Sequence, residues 1–299
     1  MAYRNILITK PCSLSSKLEQ LVIKSDETHT VPLEDISTVM IENLNTVITA
    51  HALSKLSNSG ACVFICDEKH LPCAIMTPFN AHSRQLKMLK AQMDRPKPFY
   101  KKLWKQIVQA KISNQAKCLK ILWKKDFETL EEMSRNVASG DSGHLEGASA
   151  AIYFRSLFGK DFTRDEDNLI NACLNYGYAI IRGAIARTLV CYGFDTTLGI
   201  FHHSELNNFN LADDLIEPYR PIVDLFAAQS IVESDGDLTP ALKKELFNLL
   251  NISVLQGGEK HVCSYAIERT VKSLSSLYLD KKDNVLLPEL IHLKLHEYE

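Results

Sequence analysis

The stretch "HHSELNNFNLADDLIEPYRP", residues 202 to 221, sets two imidazoles, His202 and His203, ahead of a later group of carboxylates, Asp213, Asp214 and Glu217. If "ADDLIEPYR" opens a helix, Asp214 and Glu217 stand one turn apart on a single face, because helix neighbours recur three and four positions apart. Such a pair, joined by an imidazole and a carboxylate from another helix, makes an oxygen-rich mixed site suited to Mg²⁺ or Mn²⁺. Zinc asks for more imidazole or thiolate. The same residues also fit a plainer arrangement, in which Asp213 or Asp214 caps the helix and Glu217 pairs with Arg220. A carboxylate from elsewhere is available in "SGDSGHLEGASAAIYFRSLFG", where Glu146 sits near a helix start among Gly147, Ala148, Ala150 and Ala151. Small neighbours let a backbone or a ligand come close to it, although the helix macrodipole alone would favour an acid there. A further polar stripe, Asn168, Asn171, Asn175 and Tyr178, recurs at helical spacing within an apolar segment. It needs partners, either other helices or a nucleic-acid backbone.

The elements that must position these residues fall into two blocks, and the expected fold class is α+β. Residues 1–80 read as a small β-rich N-terminal domain with strands in "NILITK", "KLEQLVIKS", "ISTVMIEN", "ACVFICDE" and "PCAIMTPF", interrupted by one helix over 49–60. Residues 81–98 read as a linker and connecting helix punctuated by Pro96 and Pro98. Residues 99–299 read as a larger all-α domain, opening with one long amphipathic helix. Further helices are expected near 127–138, 143–158, 166–192, 218–232, 239–251, 260–279 and 287–297. Breakers such as "SGDSG", "SDGDLTP" and "QGGE" separate several of them.

Composition narrows the function classes. With 299 residues, 45% of them hydrophobic and 23% charged, the chain is globular rather than disordered. Its most apolar stretch, 179–194, carries Arg182 and Arg187 and so does not read as a membrane span. The N-terminus lacks an apolar core of signal-peptide length, and the expected location is the cytoplasm, with no membrane partner. Eight cysteines without a CxxC pair read as buried, reduced thiols. Net charge is only −2, yet residues 81–125 hold thirteen Lys or Arg against one acid, Asp94. That asymmetry suits a phosphate backbone, and it equally suits a solvated lysine-rich helix face.

Taken together, "SGDSGHLEGASAAIYFRSLFG", "NACLNYGYAIIRGAIARTLVCYGFDTTLGIFHH" and "NLADDLIEPYRPIVD" occur in the order that resembles the CRISPR-associated Cas1 endonucleases, the integrases of spacer acquisition, and in flavour those of single-effector (type II) systems. "HLPCAIMTPFNAHSRQLKMLKAQ" is similar to that family's interdomain segment. The resemblance implies a metal site of Glu146, His202 and Glu217 holding Mg²⁺ or Mn²⁺, with Asp214 a catalytic neighbour and Asp213 and His203 accessory at most. "FNLADD" departs from the family pattern by placing a second acid, Asp213, before the matching one. The implied reaction joins the 3′ ends of captured DNA to a CRISPR repeat by transesterification. Implied partners are DNA, a second copy of the chain through the β-rich domain, and a small Cas2 dimer. Arg84, Lys101, Lys102, Lys105 and Arg164 are then expected on the DNA backbone, with Asn171 and Tyr178 offering polar contacts beside them. A repair nuclease acting on branched DNA would use the same residues, and a non-catalytic DNA-binding scaffold would need only the cationic ones.

Overall fold

The computed structural model describes residues 4–68, 72–76, 78–79, 85–231, 236–279 and 284–296. The chain begins with β1 (Arg4–Ile8), β2 (Ser13–Lys17), β3 (Gln20–Lys24), β4 (Thr28–Pro32), β5 (Ile36–Ile41), β6 (Val47–Ile48), helix α1 (Ala50–Asn58), β7 (Cys62–Cys66) and β8 (Pro72–Met76). They form two four-stranded sheets, ordered β1-β5-β7-β8 and β4-β3-β2-β6. The expected strand "KLEQLVIKS" forms β3 over Gln20–Lys24, but its opening residues make a reversal from β2, with Lys17 paired to Gln20 across Leu18 and Glu19. Both turn residues take left-handed φ values, 49° and 55°. Such two-residue turns usually advertise themselves as Asn-Gly or Asp-Gly, so Leu-Glu concealed the reversal.

In β7 the apolar run "CVFIC" is buried on both faces except at Ile65, which is exposed. Side chains alternate across a strand, so Val63 joins Leu14, Leu21, Val39 and Leu56 in a core between the sheets and α1. Cys62, Phe64 and Cys66 point the other way, into a larger core shared with the helices. The first sheet therefore packs directly on the helical block and is not merely tethered to it.

That block contains α2 (Gln85–Met93), α3 (Lys97–Ile121), α4 (Phe127–Arg135), α5 (Leu145–Phe158), α6 (Leu169–Cys191), α7 (Asn210–Ile216), α8 (Arg220–Ser230), α9 (Pro240–Phe247) and α10 (Cys263–Tyr278). Their starts follow local chemistry. The Asn168 side chain accepts from the Asn171 N–H at 2.9 Å to open α6, and Thr239 does the same for Leu242 at 3.2 Å ahead of α9. A 3₁₀ turn, Glu217–Tyr219, joins α7 to α8, with prolines at 218 and 221 entering the helical turns where no N–H is required.

The expectation of an all-α domain over 99–299 is corrected by a hairpin, β9 (Ser253–Gln256) and β10 (Glu259–Val262), which turns at Gly257 and Gly258 with φ of 64° and 85°. The helix expected near 287–297 is absent from its described part, 287–296. There the chain runs extended, with Glu289 and Leu255 exchanging N–H···O bonds of 2.7 and 3.1 Å. "IHLKLH" alternates with a period of two, the signature of a strand, and Pro288 stops a helix before it. All eight cysteines are free, and five are buried; Cys73, contrary to expectation, is exposed. No helix among the described residues is long and apolar enough to cross a membrane.

At the junction, α6 lies against β7 with no room for a side chain at position 183, because a Cβ on Gly183 would fall 1.9 Å from the Phe64 ring. Gly183→Ala should therefore cost about 1–3 kcal/mol through overpacking, measured by urea unfolding. Adding Phe64→Leu should recover part of that loss; an alanine tolerated without loss would mean that sheet and helix separate freely there.

Candidate active site

Three helices bring the candidate acids together. On α3, Lys111 occupies the apolar side with Ile107, Val108 and Gln115, three and four positions away and all buried. Its side chain is 8% exposed, and its ammonium lies 2.5 Å from Glu217 Oε2 and in contact with Glu146 Oε1. Glu146 is the second residue of α5, whose start is fixed by Asp141. The two carboxylate oxygens of Asp141 accept from the backbone N–H groups of Leu145 and Glu146 at 2.9 and 3.0 Å. Beside it, a Cβ at Gly147 would meet nothing within 4 Å, so the surface next to Glu146 is open.

Glu217 opens the 3₁₀ turn and is almost enclosed. Its Oε1 accepts from Arg220 Nε at 2.8 Å, the very pair that the plainer reading of the sequence anticipated. Asn114, one turn beyond Lys111 on α3, pins this turn by donating to the Pro218 carbonyl at 2.7 Å and to the Pro288 carbonyl at 2.9 Å. Burial alone would push the Glu217 carboxyl up, but the charges of Lys111 and Arg220 outweigh it and hold the group at about 2. For Lys111 burial works against the charge, and the two glutamates reverse the balance and raise its pKa.

His202 arrives by a different route, on the loop between α6 and α7. Fully buried Asp214 gathers this loop: its carboxylate accepts the backbone N–H of Ile200, of Phe201 at 3.1 Å and of His202 at 3.1 Å. It also meets His202 Nδ1 at 2.7 Å. The approach needs a glycine, since a Cβ on Gly199 would fall 2.1 Å from the His202 carbonyl oxygen and 3.0 Å from Asp214 Oδ2. Phe201 stacks on Trp104 of α3 with ring centroids 4.4 Å apart, and both rings meet the His202 imidazole edge-on. The Asp214 bond raises the His202 pKa despite partial burial, and the charges of Asp214, Glu217 and Asp213 add to the rise. With Nδ1 committed, Nε2 is the nitrogen left for a ligand.

Asp214 and Glu217 thus serve different partners although one turn apart, and Asp214 orients the histidine loop. Asp213, whose role the sequence left open, is bound by Arg182 at 2.6 and 3.0 Å and by Asn207 at 2.6 Å, tying α6 to the same loop. His203 is exposed and lines a cleft of about 750 Å³ with Lys97, Lys101, Tyr100 and Asn207. A larger cavity of about 1180 Å³, at the junction of the blocks near Arg187, Tyr192 and His261, includes none of the acids described above.

Among the described residues no three His, Cys, Asp or Glu side chains close on one point as metal ligands do; the two glutamates close on an ammonium. The donor chemistry nevertheless fits a hard divalent cation. Two carboxylates meet at one ammonium, the His202 imidazole is near enough to feel the Glu217 charge, and Glu217 Oε2 is buried without an aligned hydrogen bond.

Of the residues expected on DNA, Lys101 and Lys102 are exposed on α3, Lys105 is half-buried, and Arg84 lies outside the described residues. Asn171 and Tyr178 face inward instead, at 2% and 7% exposure. Asn171 accepts from Arg164 and donates to the Thr163 and Glu166 carbonyls at 2.8 and 2.9 Å. Tyr178 donates to buried Asp224. Arg164 also donates to Asn175 at 2.8 Å and lies over the Tyr178 ring, so the polar stripe is satisfied by internal partners. Lys111 was missed as a site residue because it counts equally well toward the cationic stripe. Its place on the apolar face of α3 is the signal that separates it.

A two-sheet N-terminal region packed on a helical block sets the fold class, and similarity to known proteins gives the family. The sequence model described as "CRISPR associated protein Cas1" matches residues 6–237. The CRISPR-associated endonuclease Cas1 of Neisseria meningitidis serogroup C (strain 8013) is 43% identical over 307 aligned positions, covering 100% of both chains. The chain belongs to the Cas1 family. Among solved structures, a casposase bound to integration product superposes with a TM-score of 0.75 at 23% identity, covering 95% of this chain and 92% of that one. A Cas6-RT-Cas1–Cas2 complex superposes with a TM-score of 0.71 at 19% identity, covering 94% of this chain and 35% of that one.

Asp214→Asn should lower stability by about 2–3 kcal/mol, since it weakens charge-assisted bonds to several backbone N–H groups. It should also lower the His202 pKa, read by NMR titration of the imidazole. A histidine that titrates unchanged would show that Asp214 does not orient the ring.

Proposed function

We propose that the chain is a metal-dependent DNA integrase and endonuclease of CRISPR adaptation, joining 3′ ends of captured DNA to the CRISPR repeat. The observation that carries this reading is the convergence of Glu146 and Glu217, from separate helices, on a single positive charge beside an imidazole fixed by Asp214. Two acids gathered in this way form a cation site before any ligand enters.

Glu146, Glu217 and the His202 imidazole would hold Mg²⁺ or Mn²⁺, which when bound supplies charge stabilisation for a phosphate passing through a five-coordinate state. The chain's own groups do the rest. Asp214 fixes the imidazole, as partners behind a ligand commonly do. Lys97 and Lys101, one turn apart on the wall of the adjoining cleft, draw a phosphate backbone toward the centre without reading its sequence. Joining forms one P–O bond to the incoming 3′ oxygen as the repeat strand's own P–O bond breaks. The reaction is close to isoenergetic, and positioning is what the protein must provide.

Family membership and the likeness to a fold seen in a Cas1–Cas2 assembly support two partners, a Cas2 dimer and a second copy of this chain.

Glu146→Gln, His202→Ala and Glu217→Gln should each reduce metal-dependent transfer of a labelled duplex into a repeat-bearing plasmid by at least about 100-fold, with DNA binding retained. Transfer unchanged in two of the three would remove the metal assignment. Retained binding with no transfer by the unaltered protein and Cas2 would favour a scaffold, and strand cleavage without joining a repair nuclease. Charge reversal at Lys101, Lys102 and Lys105 should weaken DNA binding and flatten its salt dependence by about one unit of slope per lost phosphate contact. An unaltered slope would return these lysines to plain solvated surface.

A further inference from the structure

Lys111 is more than a core lysine with good partners. It is 8% exposed, sits on the apolar side of α3, and its ammonium touches one oxygen from each glutamate of the proposed metal site. Among the described residues Lys111 is the cation in contact with Glu217 Oε2, which is buried without an aligned hydrogen bond, while Arg220 Nε is bonded to Oε1. The two carboxylate oxygens that contact the ammonium are the ones a divalent cation would need. A cation of twice the charge cannot share them with an ammonium in contact with both.

We propose that Lys111 is the resident counter-ion of the metal site. It holds Glu146 and Glu217 together while no metal is bound, and it yields that place when Mg²⁺ or Mn²⁺ binds. The inference rests on the metal reading above and deepens it: metal affinity is set by an exchange of one cation for another, and Lys111 is a positioning residue whose presence weakens metal binding. Its four-carbon stem, with several rotatable bonds, permits the ammonium to withdraw without movement of α3.

The test is Mn²⁺ binding to the full chain at pH 8, followed by electron paramagnetic resonance of free Mn²⁺, together with thermal unfolding in chelator and in Mn²⁺. The variants are Lys111→Met and Lys111→Gln, and Glu146→Gln/Glu217→Gln serves as the reference for sites elsewhere. Removing a competitor that occupies the site most of the time should tighten Mn²⁺ binding by about tenfold or more. The variants should melt lower than the unaltered protein in chelator and gain more from Mn²⁺ than it does. A purely structural lysine would give equal or weaker Mn²⁺ binding on removal, which overturns the inference while leaving the metal site intact. If the unaltered protein binds no more Mn²⁺ than the double glutamine variant, the metal reading itself fails. A variant folded only in Mn²⁺ supports the exchange. Failure of both variants to fold even in Mn²⁺ overturns it, since the metal would then not replace the ammonium.

Discussion

Two carboxylates brought together, one of them enclosed and the other at the edge of the interior, repel one another unless a positive charge stands between them. At 4 Å and an effective dielectric constant near 20, the repulsion is about 4 kcal/mol, a large part of the net stability of an ordinary domain. In this chain Lys111 and Arg220 answer Glu146 and Glu217 charge for charge. The consequence is architectural. α3 must present Lys111 where the start of α5 and the turn between α7 and α8 meet. Asn114 adds the second constraint, binding the carbonyls of Pro218 and Pro288 and accepting the Leu290 N–H. A buried network of this kind is stabilising when every member is satisfied and costly when one is missing.

The same helix that lies on the sheet also registers the histidine loop. α6 meets β7 at Gly183 and Phe64. One residue before, Arg182 binds Asp213, and one turn beyond, Arg187 donates to the Gly60 carbonyl at 2.8 Å and to Ser37 Oγ at 3.2 Å. Nearer its start, Tyr178 shares buried Asp224 with Tyr153 of α5. Burial drives the Asp224 carboxyl up to about 6 although both hydroxyls donate to it and Arg220 and Arg164 lie near. β-sheet, histidine loop and acidic centre are therefore coupled through one rigid element, which is how a site drawn from distant parts of the chain keeps its geometry.

Much of this was legible in the residues and some was not, for identifiable reasons. The division into β-rich and helical blocks followed from periodicity. Type and spacing drew out Glu146, the His202–His203 pair and the group of Asp213, Asp214 and Glu217, and the resemblance to the family chose Glu146, His202, Asp214 and Glu217 among them. What spacing does not reveal is which partner a polar residue on a given face meets. Asn171 and Tyr178 lie on the stripe expected for them, yet Arg164 and Asp224 take up their polar groups from within. Lys111 was hidden by the opposite error, a lysine counted with its exposed neighbours although Ile107, Val108 and Gln115 mark its side of α3 as buried. The β2–β3 reversal and the 253–262 hairpin differ in kind. The first lacks the usual turn residues. The second shows Gly257-Gly258 openly, but its strands of four residues each are too short for alternation to outweigh flanking helical patterns.

The division of labour between Asp214 and Glu217 follows from the backbone that separates them. In a regular α-helix, residues three apart differ by about 60° around the axis, enough for one to face the loop before it and the other to face α3. Here α7 ends at Ile216 and a 3₁₀ turn begins at Glu217. Pro218 lacks an N–H to donate, so the regular ladder of helical hydrogen bonds is broken at that point. Asp214 remains within a regular turn, where it collects the N–H groups of the histidine loop, while Glu217 stands at the break, held by Lys111 and Arg220. A single unbroken helix through this segment would keep both acids but would lose the turn whose Pro218 carbonyl Asn114 grips. The interruption is thus what lets one short segment anchor the imidazole at one end and close the acidic centre at the other.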